Sequence, residues 1–266
     1  MTSTGSGLSV PDWPLSYGQL FPPMIGGIRF EHTHRVIAGI VGILTFGLMV
    51  VLLKNEKRVW LKGVGVLAFV MVLGQALLGG LTVIYLLPTP VSVFHACLAQ
   101  AFFCLLAGMT FFTSKEWLQN EAIEFEGTRS LKRLLVATMA FMTTQLILGA
   151  VVRHSAHASI RPHFFMAFLI LLHVLFVNLR ILGAPDLKKS FSSHSIFIGF
   201  LVLAQVFLGL GAFAMTHLLP KAPTQRTAEV LLTASHQTTG ALILMLSFLL
   251  TLRCFRLLRM PKEVRA

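Results

Sequence analysis

Seven long apolar stretches dominate this sequence and restrict what it can fold into. Of its 266 residues, 55% are hydrophobic and only 12% are charged. A helix crosses the hydrocarbon core of a bilayer with about 20 apolar residues, and several of these stretches approach or exceed that length. We therefore predict an all-α membrane protein, a polytopic helical bundle, with spans at 32–53, 63–87, 91–113, 132–153, 162–182, 194–216 and 228–252.

The basic residues lie mostly on one side of these spans. The connections at 54–62, 115–133 and 180–189 and the tail at 253–265 hold 16 of the 22 Lys and Arg residues: Lys54, Lys57, Arg58, Lys62, Lys115, Arg129, Lys132, Arg133, Arg180, Lys188, Lys189, Arg253, Arg256, Arg259, Lys262 and Arg265. The positive-inside rule then places the C-terminus in the cytoplasm and residues 1–31 outside a cell inner (plasma) membrane. The same asymmetry explains the net charge of +12, so we expect contacts with membrane lipid and none with nucleic acid.

Short repeats relate the two halves of the chain. LGQALLGG, TQLILGA and AQVFLGL share the pattern Q-x-x-L-G, which begins at Gln75, Gln145 and Gln205. The repeat predicts two pseudo-symmetric four-helix bundles and indicates that the first helix is absent, because span 132–153 has no counterpart before residue 32. The predicted divisions are an extracytoplasmic loop (1–31), an N-terminal bundle (32–113), a cytoplasmic linker (114–131), a C-terminal bundle (132–252) and a cytoplasmic tail (253–266).

Four histidines occupy repeat-related positions near the same end of their spans. They form two pairs, His34 with His95 and His163 with His236. A lone histidine near a helix end is more often a packing residue, but an ionisable residue within a membrane span is by default a functional site. Two imidazoles on facing helices can bind a haem iron from opposite sides, so the pattern predicts two flat metallocofactors. His173 lies deeper on the helix of His163 and is a rival ligand for the second site.

Polar residues next to the first pair suggest chemistry there. Glu31 precedes His34 by three residues, so in a helix both project onto one face. A carboxylate beside a cofactor pocket can transfer protons, whereas at a helix N-terminus it is also stabilised by the helix dipole. Arg35 is expected to contact a haem propionate or to anchor at the lipid headgroups. Residues 5–23, with four prolines, predict an ordered loop that can cover a pocket.

The three cysteines argue against thiol chemistry. Cys97, Cys104 and Cys254 lie within or at the ends of apolar segments, and none belongs to a C-x-x-C motif. This pattern argues against a thiol redox site and against a metal held by cysteines.

Several motifs resemble the haem A synthase family of membrane oxidoreductases. They are TGSGLSVPDWPLSYG (4–18), EHTHR (31–35), FHACLAQ (94–100), LGAVVRHS (148–155) and SHQTTGAL (235–242). The resemblance covers essentially the whole chain and is looser in the C-terminal half. It implies eight spans in two bundles, with the substrate haem O in the N-terminal bundle and a haem b cofactor in the C-terminal one.

The resemblance also implies roles for individual residues. His34 and His95 would flank the substrate haem, His163 and His236 would ligate the iron of haem b, and Glu31 would be the catalytic carboxylate. The implied reaction oxidises the C8 methyl of haem O to a formyl group through successive hydroxylations, making haem A for cytochrome oxidase. Haem O synthase and a quinone or another membrane electron carrier would be partners.

This chain departs from many bacterial members of that family in its missing first helix and in its first outer loop. A cysteine pair in the first outer loop is replaced here by Val10 and Ser16, which excludes a thiol-based step in this loop.

The alternative function is a non-catalytic di-haem b electron-transfer protein, which needs the four histidines but neither a carboxylate nor a covered pocket. A haem transporter or chaperone is a third reading.

Overall fold

The computed structural model describes residues 4–119, 121–155, 157–219 and 225–261, without the side chains of residues 225 and 226. Eight α-helices lie in these ranges: α1 (Ile28–Asn55), α2 (Val59–Ile84), α3 (Thr89–Phe112), α4 (Lys115–Gln119), α5 (Thr128–His154), α6 (Arg161–Leu182), α7 (Pro185–Phe213) and α8 (Gln225–Leu257). A π-helical turn, Ala214–Leu218, continues α7. All except α4 are long and apolar enough to cross a membrane, which confirms a polytopic helical membrane protein.

Most of the predicted spans are shorter than the helices that contain them. The largest difference is at α7, which begins at Pro185 rather than at residue 194. Proline is favoured in the first turn of a helix, and the polar residues that follow it continue the helix beyond its apolar part. Hydropathy therefore locates the membrane-crossing part of α7 and misses its polar first turns.

The predicted linker and the tail are not simple loops. Strand β1 (Ile123–Glu124) pairs in parallel with β2 (Leu258–Arg259). Lys132 Nζ also donates to the carbonyl oxygen of Leu258, at 2.9 Å. Two-residue strands carry no hydrophobic period, so this pairing was not predicted from the sequence.

Four of the Lys and Arg residues have side chains that lie outside the described part of the chain: Lys221, Arg226, Lys262 and Arg265.

The chain divides into two compact units. Unit 1 comprises residues 1–109 and 150–158, and unit 2 comprises residues 110–149 and 159–266, each over its described residues. Helices α3 and α5 therefore contribute residues to both units. In unit 1, α1 packs on α2, and in unit 2, α7 packs on both α6 and α8.

Large apolar side chains are exposed along the spans. Phe200 and Phe207 on α7 are 64% and 73% exposed, whereas Phe191 on the same helix is fully buried. The Arg253 guanidinium lies 5.3 Å from the centre of the Phe191 ring and also pairs with Glu116, at 2.7 Å. Exposed apolar faces cost nothing against lipid tails, so stability depends on the few residues buried between helices.

Truncating Phe191 tests whether α7 has one buried face and one face exposed to lipid. Phe191→Ala should destabilise the detergent-solubilised protein by about 3–5 kcal/mol, because a buried aromatic side chain leaves a cavity when it is removed. Phe200→Ala, on the exposed face of the same helix, should change the unfolding free energy by less than about 0.5 kcal/mol. Unfolding in SDS followed by circular dichroism gives both values, and equal losses would contradict the assignment of the two faces.

Candidate functional site

The first histidine pair belongs to unit 1. His34 lies on α1 and is exposed, and His95 lies on α3 and is partly buried. The two rings are near enough to interact electrostatically. Gln75 donates its amide N–H to the carbonyl oxygen of His95, at 3.0 Å. The structure therefore brings the two predicted ligands of the substrate haem into one region of unit 1.

The second pair, in unit 2, is closer and better defined. The rings of His163 on α6 and His236 on α8 have their centres 6.3 Å apart, with an angle of 68° between their planes. Two imidazoles that bind one metal from opposite sides, through metal–nitrogen bonds of about 2 Å, hold their centres roughly 6 Å apart. The observed spacing fits that arrangement.

Glutamine side chains orient both rings of the second pair. Gln145 Nε2 lies 3.3 Å from His163 Nε2, and Gln205 Nε2 lies 3.4 Å from His236 Nε2. An amide nitrogen only donates, so each imidazole Nε2 accepts and carries a lone pair. His236 Nδ1 donates to the carbonyl oxygen of Gln205, at 3.2 Å. A second-shell bond of this kind, from the other ring nitrogen to a backbone carbonyl, is typical of histidines that bind metals.

Each ring packs against a glycine one helical turn after the glutamine. A Cβ added at Gly79 would lie 3.3 Å from His95 Cε1, one at Gly149 would lie 3.0 Å from His163 Cε1, and one at Gly209 would lie 2.9 Å from His236 Cε1. The Q-x-x-L-G repeat is thus a seat for a histidine, with a glycine that makes room for the ring and a glutamine on the same face. In the sequence the repeat aligns the two halves of the chain, and the contact with the histidines was not predicted from it, although the spacing of glutamine and glycine carries the signal.

Several buried polar atoms of these seats have no partner among the described residues. His95 Nδ1 and His163 Nδ1 are buried without a hydrogen-bond partner in the described residues, as are the Oε1 atoms of Gln75, Gln145 and Gln205. Orphaned buried groups are rare and call for a partner. The described residues form no group of three His, Cys, Asp or Glu side chains that can hold a bare metal ion. Two imidazoles suit a metal that brings its remaining ligands with it, as haem iron does.

The rival ligand His173 faces a different neighbour. Its Nδ1 lies 3.4 Å from Thr138 Oγ1, and its ring centre lies 4.6 Å from that of Phe141. Both partners are on α5, so these contacts turn His173 toward α5. The ring contact of His236 in unit 2 is with His163.

Glu31 is fully buried and holds the loop that precedes α1. Its Oε1 pairs with Arg35 Nη2 at 2.7 Å, and its Oε2 accepts the backbone N–H of Val10 at 3.0 Å. Arg35 Nη1 donates to the carbonyl oxygens of Asp12 and Leu15, at 2.7 and 2.5 Å. The Glu31–Arg35 pair therefore joins α1 to the loop, and the expected propionate contact of Arg35 stays a prediction.

Further contacts order the same loop. The Asp12 carboxylate accepts the backbone N–H groups of Gly18 and Tyr17 at 2.8 and 2.7 Å. The Gly18 N–H above all, and that of Tyr17, hold the pKa of Asp12 below its usual value. Gly18 has a positive φ of +68°, a conformation that favours glycine. The Trp13 ring lies so close to Gly80 on α2 that a Cβ there would approach it to 2.8 Å. The loop is thus anchored to α1 and to α2.

The glycine seats predict the effect of adding one methyl group. Gly209→Ala should displace the His236 ring, because the new Cβ would lie 2.9 Å from Cε1. We expect haem content per protein, measured as the pyridine haemochrome, to fall at least several-fold. Gly47→Ala is the control, since a Cβ at that helical position meets nothing within 4 Å. Unchanged haem content in Gly209→Ala would contradict the claim that Gly209 makes room for the His236 ring.

Comparisons with known proteins place this chain in a family. The family model described as cytochrome oxidase assembly protein (COX15-CtaA) matches residues 28–164. The heme A synthase of Exiguobacterium sibiricum is 28% identical over 158 residues, which are 58% of this chain and 51% of that protein. The heme A synthase of Bacillus pumilus is 30% identical over 138 residues, 51% of this chain and 41% of that protein. The heme A synthase of Alkalihalophilus pseudofirmus is 30% identical over 162 residues, 58% of this chain and 53% of that protein.

This chain spans about half the length of the curated relatives it matches. No solved structure matches it. The family model covers more than half of the chain and includes Glu31, His34, His95 and His163. On this evidence the chain belongs to the cytochrome oxidase assembly protein family, the haem A synthase family that its motifs indicate.

Proposed function

We propose that this protein is a haem A synthase, which oxidises the C8 methyl group of haem O to a formyl group through successive hydroxylations. The observation that carries the proposal is the His163–His236 pair, whose ring centres are 6.3 Å apart and whose Nε2 atoms both carry lone pairs. A haem b held by this pair would supply electron transfer. The first pair, His34 and His95 in unit 1, is related to it by the repeat and leaves a place for the substrate.

The residues of unit 1 are proposed to receive haem O. His34 and His95 would flank the substrate haem, because the two rings lie near each other and His34 is exposed. The loop held by Glu31 and Arg35 would exclude water from the substrate, since it packs on the same α1 that carries His34. Glu31 is the proposed catalytic carboxylate, one helical turn from His34.

The membrane context supports the proposed partners and orientation. The unequal distribution of Lys and Arg favours a cytoplasmic C-terminus in the cell inner membrane, with both histidine pairs toward the outer face. Haem O is itself membrane-soluble, so haem O synthase is the proposed source of substrate. A quinone or another membrane electron carrier is the proposed electron partner.

Pigment extraction tests the function directly. The full chain is expressed in a host that makes haem O but no haem A, and the haems of the purified protein and of the membranes are separated by chromatography. We expect haem A in the membranes, and haem O or haem A beside haem b on the protein. Two equivalents of haem b with no haem A would contradict the proposal and favour the di-haem electron carrier.

In the same assay, two variants test Glu31. Glu31→Gln should keep haem b and lose haem A formation, because the isosteric amide cannot carry a proton away from the reacting centre. Val10→Pro removes the N–H that Glu31 Oε2 accepts but leaves the carboxylate in place, so it should retain most of the haem A formation. Normal haem A formation by Glu31→Gln would overturn the catalytic role, and equal losses in the two variants would assign Glu31 to loop anchoring instead.

A further inference from the structure

An open groove of about 1120 Å³ lies in unit 2, at the end of α5 that begins at Thr128. Five cationic side chains line it, and no Asp or Glu does: Arg129, Lys132, Arg133, Arg256 and Arg259. The rest of its wall is mainly apolar or aromatic. Nothing in the proposed haem chemistry uses this groove.

Most of the positive charge in the groove is not neutralised by the protein. Arg129, Arg133 and Arg259 are exposed, and their side chains form no hydrogen bond or ion pair within the described part of the chain. Among the residues that the structure describes, Lys132 Nζ donates only to the carbonyl oxygens of Phe255 and Leu258, at 3.4 and 2.9 Å. Arg256 Nε donates to the carbonyl oxygen of Trp117, at 3.0 Å. Like charges gathered in this way repel one another, so an anion that enters the groove is stabilised.

The polarity of the groove changes along α5. Arg129 and Arg133 lie in its first turns, and Val136, Ala137 and Ala140 follow deeper in the span. From Arg129 to Ala140 the helix rises by roughly 16 Å, at about 1.5 Å per residue. On α8 the order matches, with Leu252 in the apolar part and Arg256 near the cationic end, and Arg259 follows on β2. The groove therefore has a cationic mouth and an apolar track beside it.

We propose that this groove binds one anionic phospholipid, with its phosphate among the cations and an acyl chain along Val136, Ala137 and Ala140. Two features favour a lipid over a water-soluble phosphate. The apolar track would be left without an occupant by a small anion, and both lining helices are membrane spans, so lipid is the molecule that reaches it. Small residues such as Ala137 and Ala140 leave room for a chain to lie against the backbone.

The test is a lipid titration of the delipidated full chain in detergent, followed by native mass spectrometry. Phosphatidylglycerol should bind at least tenfold more tightly than phosphatidylcholine with the same acyl chains. The double variant Arg129→Gln/Arg133→Gln should lose at least tenfold of the phosphatidylglycerol affinity. Lys188→Gln/Lys189→Gln is the matched control, since it removes the same charge from exposed residues of unit 2 outside the groove and should change the affinity less than twofold.

A third variant separates a lipid from a soluble phosphate. Ala140→Trp fills the apolar track and leaves all five cations, so it should weaken phosphatidylglycerol binding several-fold without changing the weak binding of glycerol phosphate. The proposal is overturned if the two lipids bind equally, if both double variants lose the same affinity, or if Ala140→Trp has no effect. It is also overturned if millimolar glycerol phosphate displaces phosphatidylglycerol completely.

Discussion

Imidazole rings buried among apolar helices need both space and a polar partner; all three Q-x-x-L-G turns provide the space, and those of Gln145 and Gln205 also provide the partner. A glycine lets the ring approach the helix backbone, and the glutamine one turn earlier contacts the same histidine. A buried polar group without a partner costs about 1–3 kcal/mol, so a histidine without such a seat would be selected against in a membrane span. The positions of His95, His163 and His236 depend on these turns.

The three seats are not equivalent. Gln145 and Gln205 reach the ring nitrogens of His163 and His236, whereas Gln75 bonds the backbone of His95 and leaves its ring free to adjust. The pair in unit 2 is therefore positioned before a metal binds, and an iron that binds there would displace the two glutamine N–H groups from the Nε2 lone pairs. In unit 1 the ring of His34 is exposed, and a loop tied to Glu31 and Arg35 lies on the same helix. This difference accords with the proposal that one haem is retained and the other is exchanged.

The sequence pattern predicted the parts of this structure that follow from periodicity and hydropathy. It located the seven spans, and it grouped the four histidines through the repeat. It missed the start of α7 at Pro185, because the polar residues that continue that helix resemble a loop. It also missed the pairing of Ile123 with Leu258 and the bond from Val10 to Glu31, since both join residues far apart in the chain and neither leaves a pattern in the sequence. The role of Glu31 as a loop anchor could be derived only from the contacts of both carboxylate oxygens.

The central claim is that His163 and His236 bind one haem iron between them, and near-infrared magnetic circular dichroism of the oxidised protein tests it most directly. Iron held by two imidazoles has a charge-transfer band that other axial ligand sets shift or abolish. In protein expressed without haem O, so that no substrate haem lies between His34 and His95, we predict this band in the unmodified chain and in His173→Ala, and its loss in both His163→Ala and His236→Ala. A band that survives in His163→Ala and disappears in His173→Ala would contradict the account.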